Sequence, residues 1–481
     1  MSFRDRLANL LKGGTPPEAS SKSPEDQPRE RHSQPTAEIN IGIDFGTSFT
    51  KVCFRDVGPD QASVVELGSY EQADSPAMIP STCWLSPDGT FYGGTPTSTE
   101  EAKTGNRELL RVDQLKMRLA ALDLGDEMGR FHKKAGGLDQ EHIIELVSVC
   151  FLSNVLWHAR RWIQSNRPEL LRGRKAIWSA NIGVPVRIYD SPAIHRFGRV
   201  LEDAWRLQAE RSQPVKTLDE ARTALARLDR EGAVNCFAMP ELIAAIDAFV
   251  TSPGARDGMY VFMDVGGGTL DGVSFHYERL QGEPKVRVYS AIITALGVEG
   301  IAHRRDKKVE EFKRKLLSEE QQEKLFESLR SVEVRAINKQ TAGVIMGAKR
   351  LDPQFFRHLQ QQHDWQLGLK KEGGPKDPNE LGIFFGGGGK DSWFYRASVT
   401  ETYMGHRLDR ADIPPFRLLE VPKAENLHLG GVEESKFHRF SIAYGLTLPK
   451  GAGPDFVLPS ELDEIAKIPV AEIIPAGIYD D

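Results

Sequence analysis

The sequence predicts an α/β protein of more than one domain, and three observations carry that expectation. First, Gly42-Ile43-Asp44-Phe45-Gly46-Thr47-Ser48-Phe49-Thr50 and Met263-Asp264-Val265-Gly266-Gly267-Gly268-Thr269-Leu270-Asp271 follow one plan: an apolar strand, an aspartate, a glycine turn and hydroxyl residues. Each re-enters an apolar pattern, Lys51-Val52-Cys53-Phe54 and Gly272-Val273-Ser274-Phe275, so each reads as strand, tight turn, strand. Second, helical stripes lie between the two stretches, notably Ile143 to Ile163 and the set Leu218, Ala221, Leu225 and Leu228. Third, 481 residues suffice for about two to four domains, and a chain with 40% hydrophobic and 27% charged residues can bury a sizeable core.

The hairpins carry chemistry. Glycines let backbone N–H groups approach an anion closely, and successive amides form a concave nest for phosphate. Gly46, Thr47, Ser48 and Phe49 supply such groups in the first hairpin, and Gly266, Gly267, Gly268 and Thr269 in the second. Asp44 and Asp264 are placed to hold a magnesium ion through its waters, since this cation dehydrates reluctantly. A turn-capping aspartate is the plainer alternative for each. Two such hairpins suggest a pair of clamps around one nucleoside triphosphate.

With these residues in view, the chain resembles the actin, heat-shock-70 chaperone and sugar-kinase superfamily of ATPases. Ile182-Gly183-Val184-Pro185 is similar to the strand end before that family's first connecting helix. Met239-Pro240-Glu241-Leu242 is similar to the connecting segment whose glutamate faces the metal-bound phosphates. Leu381-Gly382-Ile383-Phe384-Phe385-Gly386-Gly387-Gly388-Gly389 resembles the adenosine motif, and Phe440-Ser441-Ile442-Ala443-Tyr444-Gly445-Leu446 the closing helix. These landmarks keep the family order over roughly residues 38–450. The resemblance implies a two-lobed actin-like fold of duplicated ribonuclease H-like domains with helical insertions, holding ATP or ADP with Mg2+ between the lobes. It gives Asp44 and Asp264 the metal through water, Glu241 the hydrolytic water, and Gly386, Gly387 and Gly388 the nucleoside. Lys116, in Val112-Asp113-Gln114-Leu115-Lys116-Met117-Arg118-Leu119, occupies a segment similar to one that carries a catalytic lysine in the chaperones; a solvated helix lysine is the alternative. Lys51 reads as structural or exposed. Asp271 reads either as a residue holding the hairpin or as one meeting the metal's water shell. In the charged helical stretch 299–349 no residue identifies itself as gripping adenine.

Along the chain, Phe3, Leu7, Leu10 and Leu11 mark a short amphipathic helix, and residues 12–37 read as a disordered linker. Lobe I is expected at 38–250, lobe II at 258–435, and the closing helix with a tail at 436–481. Pro80 to Leu85 followed by Pro87-Asp88-Gly89-Thr90 predicts a hairpin turning at Asp-Gly. Residues 191–232 read as a helical insertion, either a surface decoration or a partner site. Val286 to Ile293 reads as a strand and 370–380 as a loop. No internal repeat is detectable. The tail from Pro454 holds prolines at 454, 459, 469 and 475, so it cannot form one long helix.

A net charge of −6 argues against a nucleic-acid surface. No stretch reads as a membrane span, the N-terminus lacks a signal core, and Cys53, Cys83, Cys150 and Cys236 show no paired spacing, so the cytoplasm is expected. Three functions compete. The first is a heat-shock-70-like ATPase that hydrolyses slowly and acts as a nucleotide-driven switch for protein partners; only about thirty residues follow the closing helix, so no peptide-binding domain is expected. The second is a bacterial actin-like protein forming nucleotide-dependent filaments, akin to plasmid-segregation actins. The third is a small-molecule kinase, for which no substrate-side aspartate base is identifiable. Partners would dock through residues 1–37 or 454–481, with contact to a membrane surface the lesser reading for the N-terminal helix.

Overall fold

The computed structural model describes residues 34–68, 75–95, 109–124, 141–185, 191, 193–252, 254–304, 318–371, 380–449 and 453–458. The amphipathic helix, most of the linker, residues 372–379 of the expected loop and most of the tail lie outside them.

In chain order, β1 (Thr36–Phe45), β2 (Phe49–Asp56), β3 (Gln61–Val64) and β4 (Met78–Pro80) come first. A small sheet of β5 (Cys83–Leu85), β6 (Phe91–Tyr92) and β7 (Leu110–Val112) follows, with the turn expected at Asp88-Gly89 between β5 and β6. Helices α1 (Leu115–Leu124) and α2 (Glu141–Asn166) lead to β8 (Lys175–Val184), α3 (Ala193–Ala209), α4 (Leu218–Arg227), β9 (Cys236–Pro240) and α5 (Glu241–Val250). Then come β10 (Gly258–Val265), β11 (Leu270–Leu280) and β12 (Glu283–Thr294). Four helices follow: α6 (Val298–Arg304), α7 (Glu319–Leu329), α8 (Arg335–Leu351) and α9 (Pro353–Lys371). The chain continues through β13 (Leu381–Gly386), α10 (Trp393–Gly405), β14 (Phe416–Leu419), β15 (Leu427–His428), α11 (Ser441–Gly445) and β16 (Asp455–Val457).

These strands build two large mixed sheets, and the fold is α/β. The first has the order β15-β3-β2-β1-β8-β9, with β4 also on β2; the second has the order β16-β12-β11-β10-β13-β14. Position for position the two orders match in strand sense. In each, a first hairpin and a third strand are antiparallel, two further strands run parallel beside the first, and a late strand pairs parallel with the third. A topology is thus repeated although the sequence shows no repeat, because strand alternation and turns preserve a fold without preserving residue identity. β15, within the 258–435 stretch, joins the first sheet.

Three residue groups form the core. One packs α2 and α3 on the first sheet, and another packs α7, α8 and α10 on the second. The third lies between the sheets and contains most of α5 and α11. Where these two helices cross, a Cβ on Gly445 would lie 1.8 Å from the Ala244 carbonyl oxygen, so the approach requires glycine. Asn40 and Asn181 donate side-chain N–H to the carbonyls of Thr447 and Leu446 at 2.9 and 2.8 Å, satisfying acceptors just past α11.

Several expectations need correction. The linker is shorter than residue 37, since β1 begins at Thr36, and Lys370 and Lys371 end α9 rather than starting a loop. The insertion at 191–232 is not a surface decoration throughout: α3 buries Phe197, Val200, Leu201, Ala204 and Leu207 and is the crossover between the parallel strands β8 and β9. Ile143–Asn166 is apolar and long enough to cross a membrane by length and composition, yet 72% of its apolar window is buried inside the structure. The four cysteines are buried and free.

Candidate functional site

Both first hairpins and the end of β13 open onto one cavity of about 590 Å3. It lies beyond the carboxyl ends of parallel strands, the usual ligand position on open α/β sheets. In the first hairpin the register sets Asp44 opposite Lys51, and Lys51 Nζ donates to Asp44 Oδ2 at 2.8 Å. Lys51 is therefore not exposed; it lines the cavity with Asp44, Gly46, Thr47, Ser48 and Phe49.

In the second hairpin the same register sets Asp264 opposite Asp271. The Oδ1 atoms of both are buried and have no hydrogen-bond partner. Gly387, at φ +75°, passes so close that a Cβ there would lie 2.6 Å from Asp264 Oδ1. Only glycine takes that backbone turn without strain, and it seats the loop after β13 against the carboxylate.

A third element joins the two. Pro240 caps the start of α5, so Glu241 is the first helical residue and points into the cavity. Lys116, the second residue of α1, donates to Glu241 Oε1. Both side chains are buried, which excludes a solvated helix lysine.

The electrostatics follow from this crowding. Burial, reinforced by Asp44, pushes the Asp264 carboxyl up to about 6 against the opposing pull of Lys51 and Lys116. Burial and the Asp264 charge push Asp271 well above the carboxylate range, although a hydrogen bond with Thr269 opposes them. Glu241 is raised by burial and by Asp44 and Asp264, against the pull of Lys116. For Lys116 burial works to lower the value, but Glu241, Asp44 and Asp271 together hold the ammonium above its ordinary range.

These residues fit a hard divalent cation. Asp44, Glu241, Asp264 and Asp271 are four carboxyl groups facing two ammonium groups, Lys51 and Lys116, and the protons that burial keeps on Asp264 and Asp271 are ones a bound cation would displace. Two carboxylate oxygens there lack any donor. Among the described residues no three His, Cys, Asp or Glu side chains converge into a metal cage.

The cavity also gathers the expected Gly266, Gly267, Thr269, Gly387 and Gly388, together with Gly389. Gly268 and Gly386 stand back from it: the Gly268 carbonyl accepts from Gly297 N–H at 3.3 Å, and Gly386 closes β13 beside Phe262. Sequence reasoning missed Lys51, Glu299, Trp393 and the basic turn Glu434–Arg439, from which Lys436, His438 and Arg439 reach the cavity. Arg439 Nη2 donates to the Gly388 carbonyl at 3.3 Å. Lys51 was findable, because a hairpin turning at Gly46–Ser48 must pair positions 44 and 51. Comparison with protein-family models gives no match for this chain, and comparison with curated proteins gives none either.

Proposed function

We propose that this chain is a two-lobed actin-like ATPase, nearest at its site to the heat-shock-70 nucleotide-binding domain. In this reading it binds Mg-ATP between the sheets, hydrolyses it slowly and passes its nucleotide state to protein partners as a change of shape. The observation that carries the reading is the pair of topologically matching sheets, each offering its first hairpin to the same cavity, with Asp44 on one and Asp264 and Asp271 on the other.

Phosphoryl transfer to water needs positioning and charge compensation more than covalent chemistry. A bound magnesium ion supplies part of that compensation, held near Asp44 and Asp264. Thr47, Ser48 and Thr269, with the turn amides, are the donors for phosphate oxygens. Lys51 and Lys116 are the cations available to charge on the transferred group. Glu241, whose proton affinity burial has raised, is placed to orient the attacking water and take its proton. Glycines 387 and 388 leave room for the nucleoside at the end of β13.

Calorimetry with ATP and with ADP in the presence of Mg2+ tests this directly. Binding of both is expected; no heat with either overturns the reading. Sedimentation with ATP should find monomers or small oligomers, and long nucleotide-dependent filaments would move the assignment to a polymerising actin.

A further inference from the structure

Ser48 belongs to the first hairpin, whereas Glu299 lies in the first turn of α6, reached from the second sheet. Ser48 Oγ donates to Glu299 Oε1 at 3.1 Å, across 251 positions of chain. The Glu299 backbone is anchored on its own side, where its N–H donates to the Gly267 carbonyl at 2.6 Å. The two turns touch here: a Cβ on Gly267 would lie 2.0 Å from Ser48 Oγ. Ser48, Gly267 and Glu299 all line the cavity. This hydrogen bond therefore ties the two sheets together at the turns assigned above to phosphate.

A serine hydroxyl has one proton to donate. Ser48 can serve the Glu299 carboxylate or a phosphate oxygen, but not both at once. Carboxylate and phosphate also repel each other, more strongly in a partly water-excluded cavity than in bulk solvent.

We propose that Glu299 is a built-in competitor for phosphate. In the ligand-free protein its carboxylate occupies the first hairpin's hydroxyl donor and latches the two turns; a nucleoside polyphosphate enters by displacing it. Glu299 thereby sets both the closure of the empty cleft and the affinity for the incoming anion. The inference rests on the nucleotide reading for the identity of that anion only.

Two measurements test it. In ligand-free protein, amide hydrogen exchange of residues 46–49 and 266–269 should quicken several-fold in Glu299→Ala. It should stay near wild type in Glu299→Gln, which keeps an acceptor oxygen. Equal exchange in wild type and Glu299→Ala overturns the latch, whatever the protein binds. By calorimetry, Mg-ADP and pyrophosphate should bind Glu299→Ala roughly five- to tenfold more tightly than wild type, the scale of one ordinary displaced hydrogen bond. Unchanged or weaker binding in that variant overturns the competition. If wild type and variants bind neither ligand, the nucleotide reading fails and the competition with it, while the exchange rates still decide the latch.

Discussion

In the first hairpin the residue seven positions after the aspartate is Lys51, and in the second it is Asp271. The register, the strand senses and the glycine turns are alike, so the backbone offers the same nest twice. Lys51 neutralises Asp44 through a direct bond, whereas Asp271 adds a second carboxylate whose Oδ1, like that of Asp264, has no donor. One residue thus divides the labour. In the proposed reading the first hairpin, near neutral, is the cradle for an anion and the second is the place for a cation. The lesson is that a repeated strand topology becomes an asymmetric site by changing what stands opposite the aspartate.

The comparison can be broken where the hairpins meet. Glu241, raised first by burial, is raised further by Asp44 of one hairpin and Asp264 of the other, so it senses both. Glu241→Gln should lower ATP turnover about a hundredfold while nucleotide affinity, by calorimetry, changes little. Each hairpin can then be tested alone. Asp264→Asn should raise the Mg2+ concentration needed for half-maximal nucleotide binding about tenfold, roughly 1.4 kcal/mol of lost cation affinity. Lys51→Met should weaken ATP binding roughly five-fold, about 1 kcal/mol, and leave the Mg2+ requirement nearly unchanged. If both variants shifted the Mg2+ requirement equally, the division between cradle and cation site would be wrong.

The smallest expected effect is on stability. With carboxyls raised by burial, the folded ligand-free protein holds protons that the unfolded chain releases near its ordinary value of about 4. That contribution is complete at low pH and is lost as pH rises from about 4 through about 6, the value for Asp264. The Tm of ligand-free protein should therefore fall by a few degrees between about pH 4 and about pH 7, and fall less in Asp264→Asn. A profile equally steep in both proteins would place the protons elsewhere.

How much of this was legible varies with the distance over which each feature is decided. The hairpins were plain, because a tight turn between buried strands constrains local residue types: Asp44 with Gly46, and Asp264 with Gly266. The helical character of 191–232 was read from Leu218, Ala221, Leu225 and Leu228, and the buried stripe of Phe197, Val200, Leu201 and Ala204 before it becomes core only once β8 and β9 prove to be parallel neighbours. Lys116 and Glu241 are 125 positions apart, and no local pattern announces their pairing. Glu299 stood in a stretch that looked like solvated helix, since its partner Ser48 lies on the other sheet. The matching strand orders left no trace in residue identity and emerged only from pairing.

The late return of β15 to the first sheet bears on how the chain is made. Asn426, next to β15, donates to the Asp60 carbonyl 366 positions earlier, and Leu427 pairs with Ala62 on the outer edge of β3. At roughly 5–20 residues per second, a ribosome takes about 20–70 s to traverse that interval. Throughout it, β3 has no β15 to cover its edge, an open template for strand pairing between nascent chains. The strand is only four residues long, Gln61–Val64, which limits what can dock on it. The first sheet, although it begins the protein, is among the last parts to be finished, and chaperone demand should follow the emergence of residues 426–428 rather than that of the first hairpin.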